Sequence, residues 1–326
     1  MNNGVSIICC SYNGRERLQI TLEAIKNLEC NGNWELIFID NASTDGTLEF
    51  AKEFFKGQSI PVKFLYCNTP GKSYALWIAF AKVEFSYVLI CDDDNQLFPD
   101  YLTCGVDILD KNPIIGALGG KGIMTEKLDL PDWFKRYQST YAIGPQADKN
   151  GPLKKGVGLY GAGCFFRFQA LQQLFKDNFI LNSKGLRGNT LAGSEDIEMC
   201  LAIECLGYEI WYDDQLRFYH NVDEKRLEWN YLLKLKSSIA SNFPLMEPYR
   251  YIILRDSGSY GGFLMKQIPS LVWNFCFTQL LYLVKPKPKN QVFRLTYQYQ
   301  LIGLFKNFGM SLKTFRKIKP ILLNQP

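Results

Sequence analysis

The sequence predicts an α/β fold: a mixed, mainly parallel sheet flanked by helices, with a mostly helical, basic C-terminal extension. Three observations carry this expectation. Short apolar runs alternate with helical runs of about ten residues, the pattern of βαβ units around a parallel sheet. Three of the apolar runs end in polar residues at the position where such sheets bind ligands. The composition shifts near residue 225: residues 1–224 hold 21 Lys/Arg and 29 Asp/Glu, and residues 225–326 hold 16 and 3. The expected division is a domain over 1–225 and a basic, aromatic-rich region over 226–326. At 326 residues and 47% apolar content, the chain can bury a sizeable core.

Residues 5–10 read as a buried strand, bounded by the turn-like Ser11-Tyr12-Asn13-Gly14. Residues 18–28 have helical spacing. Residues 35–39 form a second apolar run, which ends at Asp40 and the polar stretch Asn41-Ala42-Ser43-Thr44-Asp45-Gly46-Thr47. A helix over 48–55, a strand over 62–66, a helix over 73–81 and a strand over 87–91 follow. Ser11, Asp40 and Asp92 all follow strand ends, so they are expected in one crevice. Residues 121–160 are rich in Gly, Pro and Lys and read as a long loop. Residues 161–167 read as a strand with close backbone approach, 195–206 as a helix stopped by Gly207, and 210–212 as a short strand.

The C-terminal region contains an uncharged stretch over 268–284, at the short limit for a membrane span and interrupted by Pro269, Asn274 and Gln279. Lys285, Lys287 and Lys289 follow it, and residues 313–319 add a second basic stretch. Aromatic, apolar segments beside lysines favour in-plane attachment to an anionic membrane over nucleic-acid binding; a buried helix of an ordinary C-terminal subdomain is the other reading of the uncharged stretch. The ten cysteines show neither metal-finger nor redox spacing, which points to buried free thiols in a reducing compartment. No signal peptide is expected, because no basic segment followed by an apolar one opens the chain.

The chemistry concentrates in three places. Asp92-Asp93-Asp94-Asn95 ends the fourth strand, and three adjacent carboxylates repel one another unless something positive compensates them. A divalent cation would do so. Glu195-Asp196 opens a helix whose N-terminus favours ionised carboxylates. His220 is the chain's sole histidine.

Taken in order, these motifs carry a resemblance. Val5-Ser6-Ile7-Ile8-Cys9-Cys10-Ser11-Tyr12-Asn13, the 40–47 stretch, Cys91-Asp92-Asp93-Asp94-Asn95, the 161–167 segment, Glu195-Asp196 and His220 together resemble a family 2 glycosyltransferase of the GT-A fold, of the bacterial cell-surface polysaccharide type. The resemblance covers about two-thirds of the chain. It implies transfer of a sugar from a nucleotide diphosphate donor, commonly a UDP-sugar, to a glycan or lipid-linked acceptor hydroxyl, with inversion. It also implies a Mn²⁺ or Mg²⁺ ion and a cytoplasmic enzyme, peripheral to the inner face of the cell membrane.

The roles implied are as follows. Asp94 is the direct metal ligand, assisted by Asp92 and His220. Asp92 and Asp93 also face the donor through metal-bound water or ribose hydroxyls. Asp196 is the base that deprotonates the acceptor, and Glu195 orients it or assists. Asp40 meets the nucleotide base, on which Tyr12 stacks, and Ser11, Asn13 and Arg15 line the same pocket. Lys72 adds a donor contact at a helix start. Gly161, Ala162 and Gly163 admit the donor sugar or the acceptor, and Trp133 stacks on an acceptor sugar. From the residues alone, Asp40 reads equally as a turn former and Trp133 as a loop anchor.

The sequence departs from the family pattern in three places. Cys10 stands where proline is common. Glu198 stands where a second Asp often follows Glu-Asp, so its hydroxyl contacts are expected to differ. Tyr74-Ala75-Leu76-Trp77 lacks the usual Arg and Asn. Two rival functions fit parts of the pattern: a metal-dependent nucleotidyltransferase or phosphatase, and a non-catalytic subunit of a polysaccharide assembly complex. The first would open with a glycine- and arginine-rich phosphate loop, which residues 5–17 lack. The second sits badly with intact Asp94, Asp196 and His220.

Overall fold

The computed structural model describes residues 2–125, 129–176, 179, 181–182, 193–254 and 259–323. The first half alternates strand and helix: β1 (Asn2–Ser11), α1 (Arg15–Lys26), β2 (Trp34–Asp40), α2 (Thr47–Phe55), β3 (Val62–Tyr66), α3 (Lys72–Phe80) and β4 (Phe85–Asp92). A tight turn leads to β5 (Asn95–Leu97), α4 (Tyr101–Lys111) and β6 (Ile115–Met124). The short α5 (Phe134–Tyr137) and β7 (Gly151–Pro152) precede β8 (Cys164–Arg167), α6 (Phe168–Lys176), α7 (Glu195–Cys205) and β9 (Glu209–His220). Four helices close the chain: α8 (Trp229–Ser241), α9 (Phe243–Leu254), α10 (Tyr260–Val284) and α11 (Pro288–Leu323).

Among the described residues the strands form one nine-stranded sheet, ordered β3-β2-β1-β4-β8-β6-β9-β5, with β7 beside β9. β3, β2, β1 and β4 run parallel, as do β6 and β9, while β8, β5 and β7 pair antiparallel with their neighbours. Alternate residues of a strand face opposite sides, so the sheet has two buried faces. Ile7 and Cys9 of β1 join Leu18, Leu22 and Ile25 of α1 on one side. Ile8 joins Leu76 and Ala79 of α3 on the other. This second face also holds Met199 to Ile203 of α7 and Leu245, Met246 and Tyr249 of α9. The C-terminal helices therefore share the core of the sheet.

Three expectations need correction. Residues 121–160 are not all loop. β6 runs to Met124, and α5 and β7 lie further along, while 126–128 fall outside the described residues. Only Cys164–Arg167 of the 161–167 segment is strand; residues 161–163 form the turn before it. β9 spans 12 residues rather than three. Among the described residues, no helix is long and apolar enough to cross a membrane. The stretch 268–284 is instead the greater part of α10, and the ten cysteines are free.

Candidate active site

Parallel pairing aligns the strand ends. Ser11 lies opposite Asp40, and Cys10 opposite Asp92. The loops beyond β1 and β2 lock into each other. The Asn13 N–H donates to Ser43 Oγ at 2.9 Å, and the Thr44 N–H to Asn13 Oδ1 at 2.8 Å. Asn13 holds φ 47°, a left-handed conformation that asparagine tolerates well. The Gly14 N–H donates to Thr47 Oγ1 at 2.9 Å and the Arg15 N–H to Asp45 Oδ2 at 3.2 Å. Arg15's guanidinium also turns to this loop, donating to the Asp45 carbonyl at 3.4 Å. Asp40 is buried, and its Oδ1 accepts from the Ser43 N–H at 2.8 Å, the turn-forming role. Asn41, which the sequence reading did not single out, ties in the third loop: it donates to the Thr69 carbonyl and accepts from the Gly71 N–H, both at 2.8 Å. Tyr12 stands 52% exposed above these loops.

Each carboxylate of the triplet has its own cation. The Lys72 ammonium donates to Asp92 Oδ1. Arg17 grips Asp93 with two bonds, Nε to Oδ1 at 3.0 Å and Nη2 to Oδ2 at 2.7 Å, and the Ser11 hydroxyl donates to the same Oδ2. Asp94 faces His220 Nε2 at 3.3 Å and Arg226 Nη1 at 3.4 Å. The charge compensation expected of a metal is thus supplied largely by the chain. Asp93 is correspondingly not turned to a donor; both its oxygens brace the β1 loop. Arg17 also donates to the Tyr12 and Asn13 carbonyls at 3.0 and 2.9 Å, which fixes the loop's shape.

His220 reaches Asp94 through sheet register. β5 pairs Asn95 with His220, one residue past Asp94. His220 Nδ1 lies 2.7 Å from the Tyr141 carbonyl, which can only accept, so Nδ1 carries the proton and Nε2 faces Asp94. Burial pushes the Asp94 carboxyl up, but His220, by charge and hydrogen bond, and Arg226 overcome it and hold the group below the usual carboxylate range. Burial lowers the His220 imidazole, and Asp94 reverses that to leave it raised.

The Glu195-Asp196 pair sits at the first turn of α7. Asp196 Oδ2 accepts from the Gly161 N–H at 2.6 Å and Oδ1 from the Ile197 N–H at 2.8 Å. A Cβ on Gly161 would lie 3.0 Å from Asp196 Cβ, a tight contact that would push against the Asp196 side chain. Gly163 holds φ 65°, and its carbonyl accepts from the buried Tyr101 hydroxyl. Ala162 is part of the core. The 161–163 turn therefore positions Asp196 and offers no open face for an acceptor. Glu195 is buried, with Oε2 lacking any hydrogen-bond partner. Burial and the neighbouring Asp196 charge raise its carboxyl to about 7, against the pull of Lys72. Asp196 is the less buried of the two. Burial raises its carboxyl too, while Lys72 and the two N–H donors pull it down.

Lys72 unites the parts. Burial lowers its ammonium, but Asp92, Glu195 and Asp196 act on it together and leave it strongly raised. The end of β4 and the start of α7 thus lie near each other around Lys72.

Two sequence expectations end elsewhere. Trp133 is half-buried in an aromatic cluster, its ring centroid 5.5 Å from Trp229 and 6.5 Å from Tyr141; it anchors the segment that holds His220. Glu198 is fully buried and accepts from the Tyr249 hydroxyl at 2.7 Å and from Asn182 N and Nδ2 at 2.9 and 2.7 Å. It braces helices rather than meeting substrate hydroxyls. Arg17 and Arg226 are the site residues the sequence reading missed. Their partners lie 76 and 132 positions away, and no local pattern reports such pairs.

Comparisons with known proteins fit this arrangement. A family model for glycosyl transferase family 2 matches residues 6–175. The poly-beta-1,6-N-acetyl-D-glucosamine synthase of Staphylococcus epidermidis is 27% identical over 210 residues, which are 64% of this chain and 48% of that one. The chain thus spans about half the length of this curated relative. The mannosyltransferase PcManGT from Pyrobaculum calidifontis, solved with GDP-Man and Mn²⁺, aligns with a TM-score of 0.58 at 16% identity, over 94% of this chain and 88% of that one. S. aureus TarS 1-349, solved with UDP-GlcNAc, aligns with a TM-score of 0.52 at 15% identity, over 94% and 92%. These two likenesses show the fold, the mixed sheet of GT-A enzymes. With its family match covering half of its length, the chain belongs to glycosyl transferase family 2.

Proposed function

We propose that this protein moves a sugar from a nucleotide diphosphate donor, a UDP-sugar, to a hydroxyl of a glycan or lipid-linked acceptor during cell-surface polysaccharide synthesis. It would act at the cytoplasmic face of the membrane. One observation carries the reading: the Lys72 ammonium pairs with Asp92 at the strand end and lies within electrostatic reach of Glu195 and Asp196. S. aureus TarS with UDP-GlcNAc and the S. epidermidis synthase support the donor and the pathway.

Asp196 would serve as the base. The Gly161 and Ile197 N–H groups fix its carboxylate, and Lys72 opposes the burial that raises it. Proton removal by a positioned carboxylate accelerates such steps roughly 10²–10⁴-fold. The acceptor oxygen then bonds to the anomeric carbon as the bond to the nucleotide diphosphate breaks, and this single displacement inverts the configuration. Lys72 and Arg226 would face the charge growing on the departing diphosphate. Tyr12, exposed at the mouth, is free to stack on the base.

A divalent cation fits beside Asp94. Asp94 Oδ1 and His220 Nε2, 3.3 Å apart, would hold it, with His220 giving up its Nε2 proton to do so. A hard oxygen with one imidazole suits Mn²⁺. Among the described residues no group of three or more His, Cys, Asp or Glu side chains is arranged to hold a metal, so an ion there would be shared with the donor. Bound there, it would neutralise the diphosphate as it leaves. Calorimetry of UDP with and without Mn²⁺ tests this. Binding should require the ion and weaken at least tenfold in Asp94→Asn; equal binding with and without Mn²⁺ would refute the ion's role.

A further inference from the structure

α10 carries a face that stands clear of the rest of the protein. Val272, Trp273, Phe277, Leu280, Leu283 and Val284 are all exposed, Trp273 at 71%, Leu280 at 61% and Leu283 at 79%. Positions 273, 277, 280 and 284 fall on one side of a helix. The other side, with Leu264, Leu271 and Thr278, is buried, where Leu264 and Leu271 pack with Leu304 of α11. No charged residue interrupts the exposed side from Val272 to Val284. A contiguous apolar surface of this kind marks a contact site.

The surrounding charge identifies the partner. Lys285 and Lys287 in the turn after the helix, and Lys289 in the first turn of α11, are all exposed, and the Asn290 side chain closes the turn by donating to the Lys285 carbonyl at 2.9 Å. Residues 257–326 contain ten Lys/Arg and no Asp/Glu. A second copy would bring like charge against like charge. A layer of anionic headgroups over acyl chains complements both features, since lysines reach phosphates while apolar side chains enter the boundary.

The turn is also tied to the site. The Trp229 Nε1–H donates to Gln291 Oε1 at 3.0 Å. Val292 and Leu295 pack into the cluster of Trp133, Tyr141 and Trp229, and the Tyr141 carbonyl holds His220. We propose that α10 lies in the plane of an anionic bilayer, apolar face inward, with Lys285, Lys287 and Lys289 on the headgroups. This deepens the proposed function, on whose lipid-linked acceptor its purpose rests: the docked surface would hold the crevice beside lipid-borne substrate.

Co-sedimentation of the full chain with vesicles tests it. Phosphatidylcholine–phosphatidylglycerol vesicles should bind the protein, and pure phosphatidylcholine should bind it far less. Replacing Lys285, Lys287 and Lys289 with Gln should weaken binding roughly fivefold per lysine. Phe277→Ser with Leu280→Ser and Leu283→Ser should abolish it. Hydrolysis of UDP-sugar, followed in the same variants, should not change. Absent binding, binding that survives the serine variant, or equal binding to both vesicle types would overturn the proposal. So would a dimer that the serine variant dissociates. Vesicle binding without donor turnover would instead sink the transferase reading alone.

Discussion

Arg17 shows how much of the site rests on groups that never meet substrate. Its guanidinium satisfies Asp93 and two loop carbonyls at once. Removing it would leave a buried carboxylate without its cation, whereas removing both partners together costs less. Arg17→Met should therefore lower unfolding free energy by about 1–3 kcal/mol, and adding Asp93→Asn should restore part of it. Urea denaturation of the four proteins checks this, and purely additive losses would deny the coupling. Glu195 makes a second prediction. Its carboxyl rises from the ordinary 4.5 to about 7, so the folded state holds a proton that the unfolded chain releases. Stability from this group is present below pH 4.5 and is lost as pH climbs toward 7. Glu195→Gln should flatten that slope and leave the protein more stable near pH 8, by at most about 3 kcal/mol. Thermal unfolding across pH 4.5–8 reads it directly, and an unchanged slope would contradict the assignment.

At the scale of elements, the legible parts were those with strong local patterns. β1 to β4 and the helices between them follow apolar periodicity, so Ser11, Asp40 and Asp92 could be placed at one sheet edge from spacing alone. β6 was not legible. Its last residues, Gly122 among them, fall in the stretch that reads as loop, yet they continue the strand, and neighbours press against its glycines. A Cβ on Gly120 would lie 2.2 Å from the Leu216 carbonyl oxygen, and one on Gly122 1.9 Å from that of Ala142. The role of Glu198 was hidden for a similar reason. Beside Asp196 it looks like a member of the site, but two positions along a helix turn it to the opposite side, about 200° away, and Glu198 points to Tyr249 of α9. Asn182 extends this brace to Thr314 of α11, which donates to Asn182 Oδ1 at 2.8 Å. Tyr249→Phe should cost about 1–2 kcal/mol and lower the melting temperature without changing donor affinity. A neutral effect on melting would mean that the brace is ornamental.

For the whole molecule, the charge division read from sequence marks two working surfaces. The acidic portion sets Asp92, Asp93 and Asp94 at the strand ends, each against a cation of the chain. The basic portion packs α9 and α11 against the same core and turns α10 outward. What sequence could not convey is that these are joined. The Trp133–Tyr141–Trp229 cluster links the α10–α11 turn to His220, and Asn242 of the C-terminal helices donates to Ser194 Oγ at 3.1 Å, directly before Glu195. The catalytic proposal depends on α7 and the strand ends acting on one substrate. The most direct test is the rate of sugar transfer by Asp196→Asn at saturating donor. With Asp196 as the base, transfer should fall at least about a hundredfold with nucleotide diphosphate affinity unchanged; transfer at the unmodified rate would exclude that role.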